Sequence, residues 1–206
     1  MSHIELVTGA TTTALTLVQA KAHLIVDSTT HDTVISDLSK ACDSWIEKAV
    51  RGGVAVRQQT WKLKLDRFPG KWEPHLVDRP RFMDKIRIPR PPLVSITHIK
   101  YYNDANTQVT LDSTSYQVSK PKEAQGWVEP AYAANWPGTV TRPDSVEIQF
   151  VCGSTAAANI PLNLITAIKL RLADLFENRG DEQPPGKSTQ AAVEALASAQ
   201  DYGFYG

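Results

Sequence analysis

Between Ile86 and Val118 the chain reads IRIPRPPLVSITHIKYYNDANTQVTLDSTSYQV, apolar and polar residues alternating on either side of a proline corner and an NDAN turn. A period of two interrupted by turn residues predicts antiparallel strands with one face buried. Further strand signals lie at Trp127 to Glu129 and at Ser145 to Val151, the latter introduced by Pro143 and Asp144 and closed by Cys152 and Gly153. From Val54 the same period applies: Arg57, Gln59, Trp61, Leu63 and Leu65 share one face, and a strand is expected through Trp61 to Leu65. The intervening FPGKWEPHLVDRPRFMDK has three prolines and no period, which predicts a long excursion, mobile or resting on another subunit.

Either side of this β-rich middle the period lengthens. Thr16 and Gln19 form a capping box ahead of Leu17, Ala20 and Leu24, so a short first helix is expected. After DSTTHD, the residues Val34, Leu38, Cys42, Trp45 and Ala49 form one helical stripe that ends near Gly52 and Gly53. Pro161 suits the first turn of a third helix, whose wide apolar face is Leu164, Ile165, Ile168, Leu172, Leu175 and Phe176. DEQPPGKS reads as a linker. A last alanine-rich helix, Thr189 to Ala199, has only Val193 and Leu196 as sizeable apolar groups and depends on a neighbour.

The expected fold is therefore α+β: a bundle of three to four helices with an antiparallel β-rich domain inserted between the second and third helix. Residues 1–53 supply the first part of the helical core, 54–153 the β-rich insertion, 154–180 the second part of the core, and 181–206 the linker, last helix and aromatic tail.

With 206 residues the chain is long enough for a real core. Lys plus Arg and Asp plus Glu balance at 22 each, so no overall field draws it onto nucleic acid or an anionic membrane. No apolar run approaches the roughly 18 to 20 residues of a membrane span, and no basic segment precedes an apolar one at the start, so a cytoplasmic protein with no membrane partner is expected. Cys42 and Cys152 lie far apart and make no metal-ligand spacing; reduced, partly buried thiols are expected.

Candidate chemistry is sparse. GDEQPPGKS approaches a phosphate-binding loop but has five residues between Gly180 and Gly186 where the motif has four, two of them prolines without N–H groups, and it follows a helix. The five histidines are scattered, none beside a second ligand at helical spacing. Asp43 and Glu47 have the spacing of an acid and base pair, but beside Lys40 and Lys48 they read more simply as a solvated or inter-subunit helix face. No catalytic residue, metal ligand or cofactor is assigned, and no enzyme is expected. A small enzyme or glycan-binding module using the β insertion and its exposed tryptophans is the weaker alternative, because no acid, base or metal accompanies them. Trp45 and Trp61 fit core positions. Trp72 and Trp136 lie in Pro/Gly-rich loops, where an interface role and local packing are equally open. Tyr202, Phe204 and Tyr205 in the tail DYGFYG make a docking peptide, or else a frayed terminus.

Several of these stretches occur together, and in order, in one known group. LTLVQAKAHLIVD from Leu15 to Asp27, HDTVISDLSKACDSWIEKAVRG, QTWKLKLDRFP, IRIPRPPLVSITHIKYYN, NWPGTVTRPDSVEIQFVCG and IPLNLITAIKLRLADLFENRG resemble the phage head-tail connector, or adaptor, proteins of the gp6-like superfamily, in the longer phiE125 gp8-like subgroup. The segment from Trp72 to Lys85 and the tail depart from that pattern. The resemblance implies a structural virion protein without an active site, made in the host cytoplasm and placed in the neck. It implies a ring of twelve copies beneath the portal protein, joined on its other side to the next neck or tail-completion protein, with DNA passing non-specifically through its channel. On that view Tyr202, Phe204 and Tyr205 dock on the portal, and Trp72 and Trp136 serve the neck or inter-subunit interface. The alternative in the same setting is a tail-side completion or terminator protein that contacts the tail tube.

Overall fold

The structure is a computed structural model that describes residues 2–50, 52–69, 84–121, 125–178 and 187–199. The chain divides into two compact units, one formed by Met1–Gly9 and Gln59–Cys152, the other by Ala10–Gln58 and Gly153–Gly206. The class is α+β, as expected.

Among its described residues the first unit is built of strands, with one 3-10 turn at Ser113–Ser115. Its strands are β1 (Ser2–Thr8), β2 (Gln59–Leu65), β3 (Ile86–Arg87), β4 (Leu93–Tyr102), β5 (Gln108–Thr110), β6 (Tyr116–Ser119), β7 (Trp127–Pro130) and β8 (Val146–Cys152). Five form an antiparallel sheet in the order β1-β2-β8-β4-β5, and three form a smaller sheet in the order β3-β7-β6. β8 is central because every second side chain, Val146, Ile148, Phe150 and Cys152, is fully buried. Its neighbours are in register with that face: Ile148 lies between Leu63 and Ile99, and Phe150 between Trp61 and Ile96. Cross-strand pairs of this kind are what stabilise a sheet.

β1 is not anticipated by periodicity. Its side chains are almost all exposed, so it has no apolar face to betray it. Its ladder with β2 holds it, and Glu5 reinforces the pairing with an ion pair to Lys64 at 3.3 Å. Residues 2–8, expected in the helical core, therefore belong to the β unit.

The second unit contains α1 (Leu17–Leu24), α2 (Asp32–Ala49), α3 (Leu162–Glu177) and α4 (Lys187–Ser198). The capping box is present: Thr16 Oγ1 accepts from the Gln19 N–H at 3.2 Å, and Gln19 Oε1 accepts from the Thr16 N–H at 3.0 Å. Thr16→Ala is expected to cost about 1 kcal/mol, with Thr16→Ser near wild type, measured by urea denaturation. Pro161 sits one residue earlier than expected, outside α3, where its carbonyl accepts from the Leu164 and Ile165 N–H groups at 3.1 and 3.2 Å.

α2 presents a different face from the expected stripe. Ile35, Ser39, Cys42 and Ile46 are buried, while Val34 is exposed and Leu38 and Trp45 only flank the core. Two apolar stripes overlap on this helix, and the one carrying two isoleucines is turned inward. The polar Ser39 is tolerated there because its hydroxyl donates to the Ile35 carbonyl at 2.8 Å. Ala20, Ile35, Ile46, Leu164, Ile168, Leu172 and Val193 make one continuous core, so the last helix does gain its neighbours, α3 and α2.

Candidate functional site

In the helical unit, the carboxylates of α2 hold backbone. Asp43 Oδ2 accepts from the Ala14 N–H at 2.8 Å, and Glu47 Oε1 accepts from the Val56 N–H at 3.0 Å. The expectation of a solvated or inter-subunit face is thus corrected. The irregular, bent segments around Ala14 and Val56 present N–H groups that no helix or strand satisfies, and half-buried carboxylates supply the acceptors. Beside them Arg57 Nε and Nη2 both donate to Thr12 Oγ1, at 2.9 and 2.8 Å. The Ser154 N–H donates to the Val56 carbonyl at 3.3 Å, where Arg57 and Ser154 form a parallel bridge.

This cluster is tight but not fully satisfied. Asp43 Oδ1 and Arg57 Nη1 are buried with no hydrogen-bond partner among the described residues. Burial pushes the Asp43 carboxyl up to about 7, with repulsion from Glu47 adding to it, while the Ala14 N–H and Arg57 oppose the shift. Burial likewise pushes the adjacent Cys42 thiol up to about 12, which makes it a poor nucleophile. Both cysteines are free and buried.

The histidines make separate local contacts: His23 Nε2 with the Lys169 carbonyl at 3.0 Å, His31 edge-on to Phe176, and His98 Nε2 with Glu147 Oε1 at 3.4 Å. Among the described residues no cluster of His, Cys, Asp or Glu is arranged to hold a metal ion. No helix among them is long and apolar enough to cross a membrane.

Of the candidate interface residues, Trp72, Tyr202, Phe204 and Tyr205 lie outside the described residues. Trp136 is 9% exposed and stacks on Phe68 with ring centroids 4.7 Å apart, and its Nε1 donates to the Asp84 carbonyl at 2.7 Å. It also lines a cleft of about 420 Å³ with Arg67, Asp84 and Asn135, so one edge remains at the surface. Trp45 and Trp61 are half-buried, each with an arginine over the ring: Arg171 at 5.6 Å and Arg90 at 4.7 Å.

The surface also exposes large apolar side chains, of which the sequence pattern singles out only Leu17 and Val34. On the helical unit these are Leu17, Val18, Ile25, Val34 and Leu162, and on the β unit Leu6, Val7 and Tyr132. The signal for one set was available. Val18 and Ala22 recur at i and i+4 on the side of α1 away from Ala20 and Leu24, and Ile25, the left-handed C-cap just beyond the helix, is exposed as well.

These two units define an α+β protein with a small helical core and a long antiparallel insertion. No family model matches the chain, and no curated protein matches it. Solved structures with its fold do exist. A chain in the neck of an empty gene transfer agent (GTA) particle, computed with C6 symmetry, is 19% identical over 98% of both chains, with a TM-score of 0.67. A chain in the neck of the native particle, computed with C12 symmetry, is 20% identical over 98% of both, also at 0.67. One in the virion of the native particle is 20% identical over 97% of both, at 0.65. At this identity the likeness is one of fold, and it runs from end to end.

Proposed function

We propose that this chain is a structural component of the neck of a phage-like particle: a head-tail connector of the phiE125 gp8-like type, forming a ring under the portal and leaving a channel for DNA. The observation that carries the reading is the end-to-end fold correspondence with neck chains, 98% of each, which spans both units and not just a common motif. The lack of net charge suits a conduit, since strong phosphate binding would retard DNA. No catalytic step is assigned: Asp43 and Glu47 serve backbone N–H groups. A closed ring needs a heterologous contact repeated by rotation.

Mixing the purified chain with isolated portal rings, and separately with tail tubes, tests this by electron microscopy. The expected result is a second ring on the portal. Binding to the tube alone supports a tail-side completion protein, and a chain that remains monomeric beside the portal overturns the ring. Deleting residues 201–206, which removes Tyr202, Phe204 and Tyr205, is expected to weaken portal capture at least about tenfold, by analogy with other aromatic anchors. Unchanged capture in a pull-down would remove the docking role from the tail.

A further inference from the structure

β1 lies at one edge of the five-stranded sheet with none of its seven residues buried; only Ile4 is half-buried, and Leu6 and Val7 are exposed. Among the described residues its strand partner is β2 alone, and the ladder between them slips between Leu6 and Thr8. What holds it is backbone hydrogen bonding, the Glu5–Lys64 ion pair at 3.3 Å and a contact of His3 Nδ1 with Asp144 Oδ1 at 3.5 Å. Water replaces such contacts at little net cost, and a segment that buries few apolar groups opens locally while the rest stays folded.

The edge that β1 covers is built differently. β2 is paired along its whole length with β8, from Gln59 opposite Cys152 to Leu65 opposite Val146, so its conformation does not depend on β1. With β1 lifted it remains a formed strand with one row of free N–H and C=O groups, a template for an added antiparallel strand. The root of β1 is fixed as well: Ala14 and Leu15 are buried in the helical core, and the Ala14 N–H is held by Asp43. Between strand and root lie Gly9 to Thr13, none of them buried, with Thr12 gripped by Arg57. Five extended residues span about 17 Å, a tether on which β1 leaves β2 while its root stays in place.

We propose that β1 is an exchangeable strand: each copy of this chain lays Ser2–Thr8 on β2 of a second copy, in the register it shows against its own β2. The occupant follows from the pairing itself. The edge of β2 already accepts this sequence, with Glu5 against Lys64 and His3 against Asp144, and a second copy supplies the identical strand. Exchange therefore loses no contact, and the concentration of copies decides between the closed and the swapped pairing. The proposal does not rest on the ring reading, since two copies suffice.

Two variants of the full chain, Glu5→Cys and Lys62→Cys, differing in a size tag, are mixed over a concentration series and treated with a short bis-maleimide. Residues 5 and 62 are direct cross-strand partners, and the native Cys42 and Cys152 are buried out of the reagent's reach. Exchange predicts a cross-link between unlike chains at least about tenfold above that from Glu5→Cys mixed with Lys100→Cys. Lys100 is the control because it lies on β4, two strands beyond β2. Equal yields from the two mixtures mean chance collision, and no unlike product at any concentration means that β1 stays with its own β2. Either result overturns the exchange and leaves a ring on the portal untouched, whereas the unlike product without any ring supports the exchange alone. Hydrogen exchange of the wild-type chain is the second measurement: β1 amides should exchange at least about a hundredfold faster than those of β8. Equal protection would show that β1 leaves only when the whole unit unfolds, and would overturn the proposal.

Discussion

Gly153→Ala is expected to destabilise the helical unit by about 3 kcal/mol or more, the range of severe backbone lesions, and to leave much of the protein insoluble. Gly153 has φ +93°, and a Cβ placed on it would lie 2.1 Å from the Arg57 carbonyl oxygen and 2.5 Å from the carbonyl carbon. Both atoms are backbone, so no rotamer change relieves the overlap. Retreat of either strand would break the bridge between Arg57 and Ser154 and the 3.3 Å bond from the Ser154 N–H to the Val56 carbonyl. It would also pull Arg57 from Thr12 and Val56 from Glu47. The left-handed conformation alone accounts for only about 1–2 kcal/mol. Gly138→Ala is the control: its added Cβ meets the Asp104 side chain no closer than 3.4 Å, ordinary contact, and should cost less than about 1 kcal/mol. Urea denaturation of the two variants checks this, and a Gly153→Ala protein as stable as Gly138→Ala would show that the close approach does not exist.

How much of this was legible in the sequence follows from how local each cause is. The α1 capping box is written within four residues, and it forms as written. β8 alternates because both its neighbours bury the same face, and its pattern is readable without them. β1 is the opposite case, since it is specified by a partner strand some sixty residues away and has no buried face of its own. The face of α2 could not be chosen locally, because Val34 with Leu38 and Ile35 with Ile46 are rival stripes that only tertiary packing separates. The role of Asp43 is hidden for a related reason. Its neighbours at Lys40 and Lys48 suggest solvent, whereas its partner is a backbone N–H 29 residues away. Sequence patterns report side chains well, but not which stretch of irregular backbone will come looking for an acceptor.

That buried acceptor makes the protein's stability depend on pH in an unusual direction. The ordinary aspartate value of 3.8 applies to Asp43 in the unfolded chain, and burial raises it to about 7 in the fold. Between those values the folded state keeps a proton that the unfolded state releases. Asp43 therefore contributes fully below 3.8, and its contribution is lost as pH rises through about 7. The slope approaches about 1.4 kcal/mol per pH unit, so the total loss is at most about 4.4 kcal/mol. Glu147 works the other way: its carboxyl is held low by His98 and Lys62 against the effect of its own burial, so it adds stability that is lost on acidification. The two trends overlap in the whole protein, and Asp43→Asn separates them. The amide oxygen can still accept from the Ala14 N–H, but it does not titrate. Relative to wild type, Asp43→Asn is expected to gain about 2–4 kcal/mol between about pH 4 and about pH 8, ending more stable than wild type on the alkaline side. Urea midpoints of both proteins across that range measure it. Parallel curves would mean that Asp43 is charged throughout, with Arg57 and not burial setting its state.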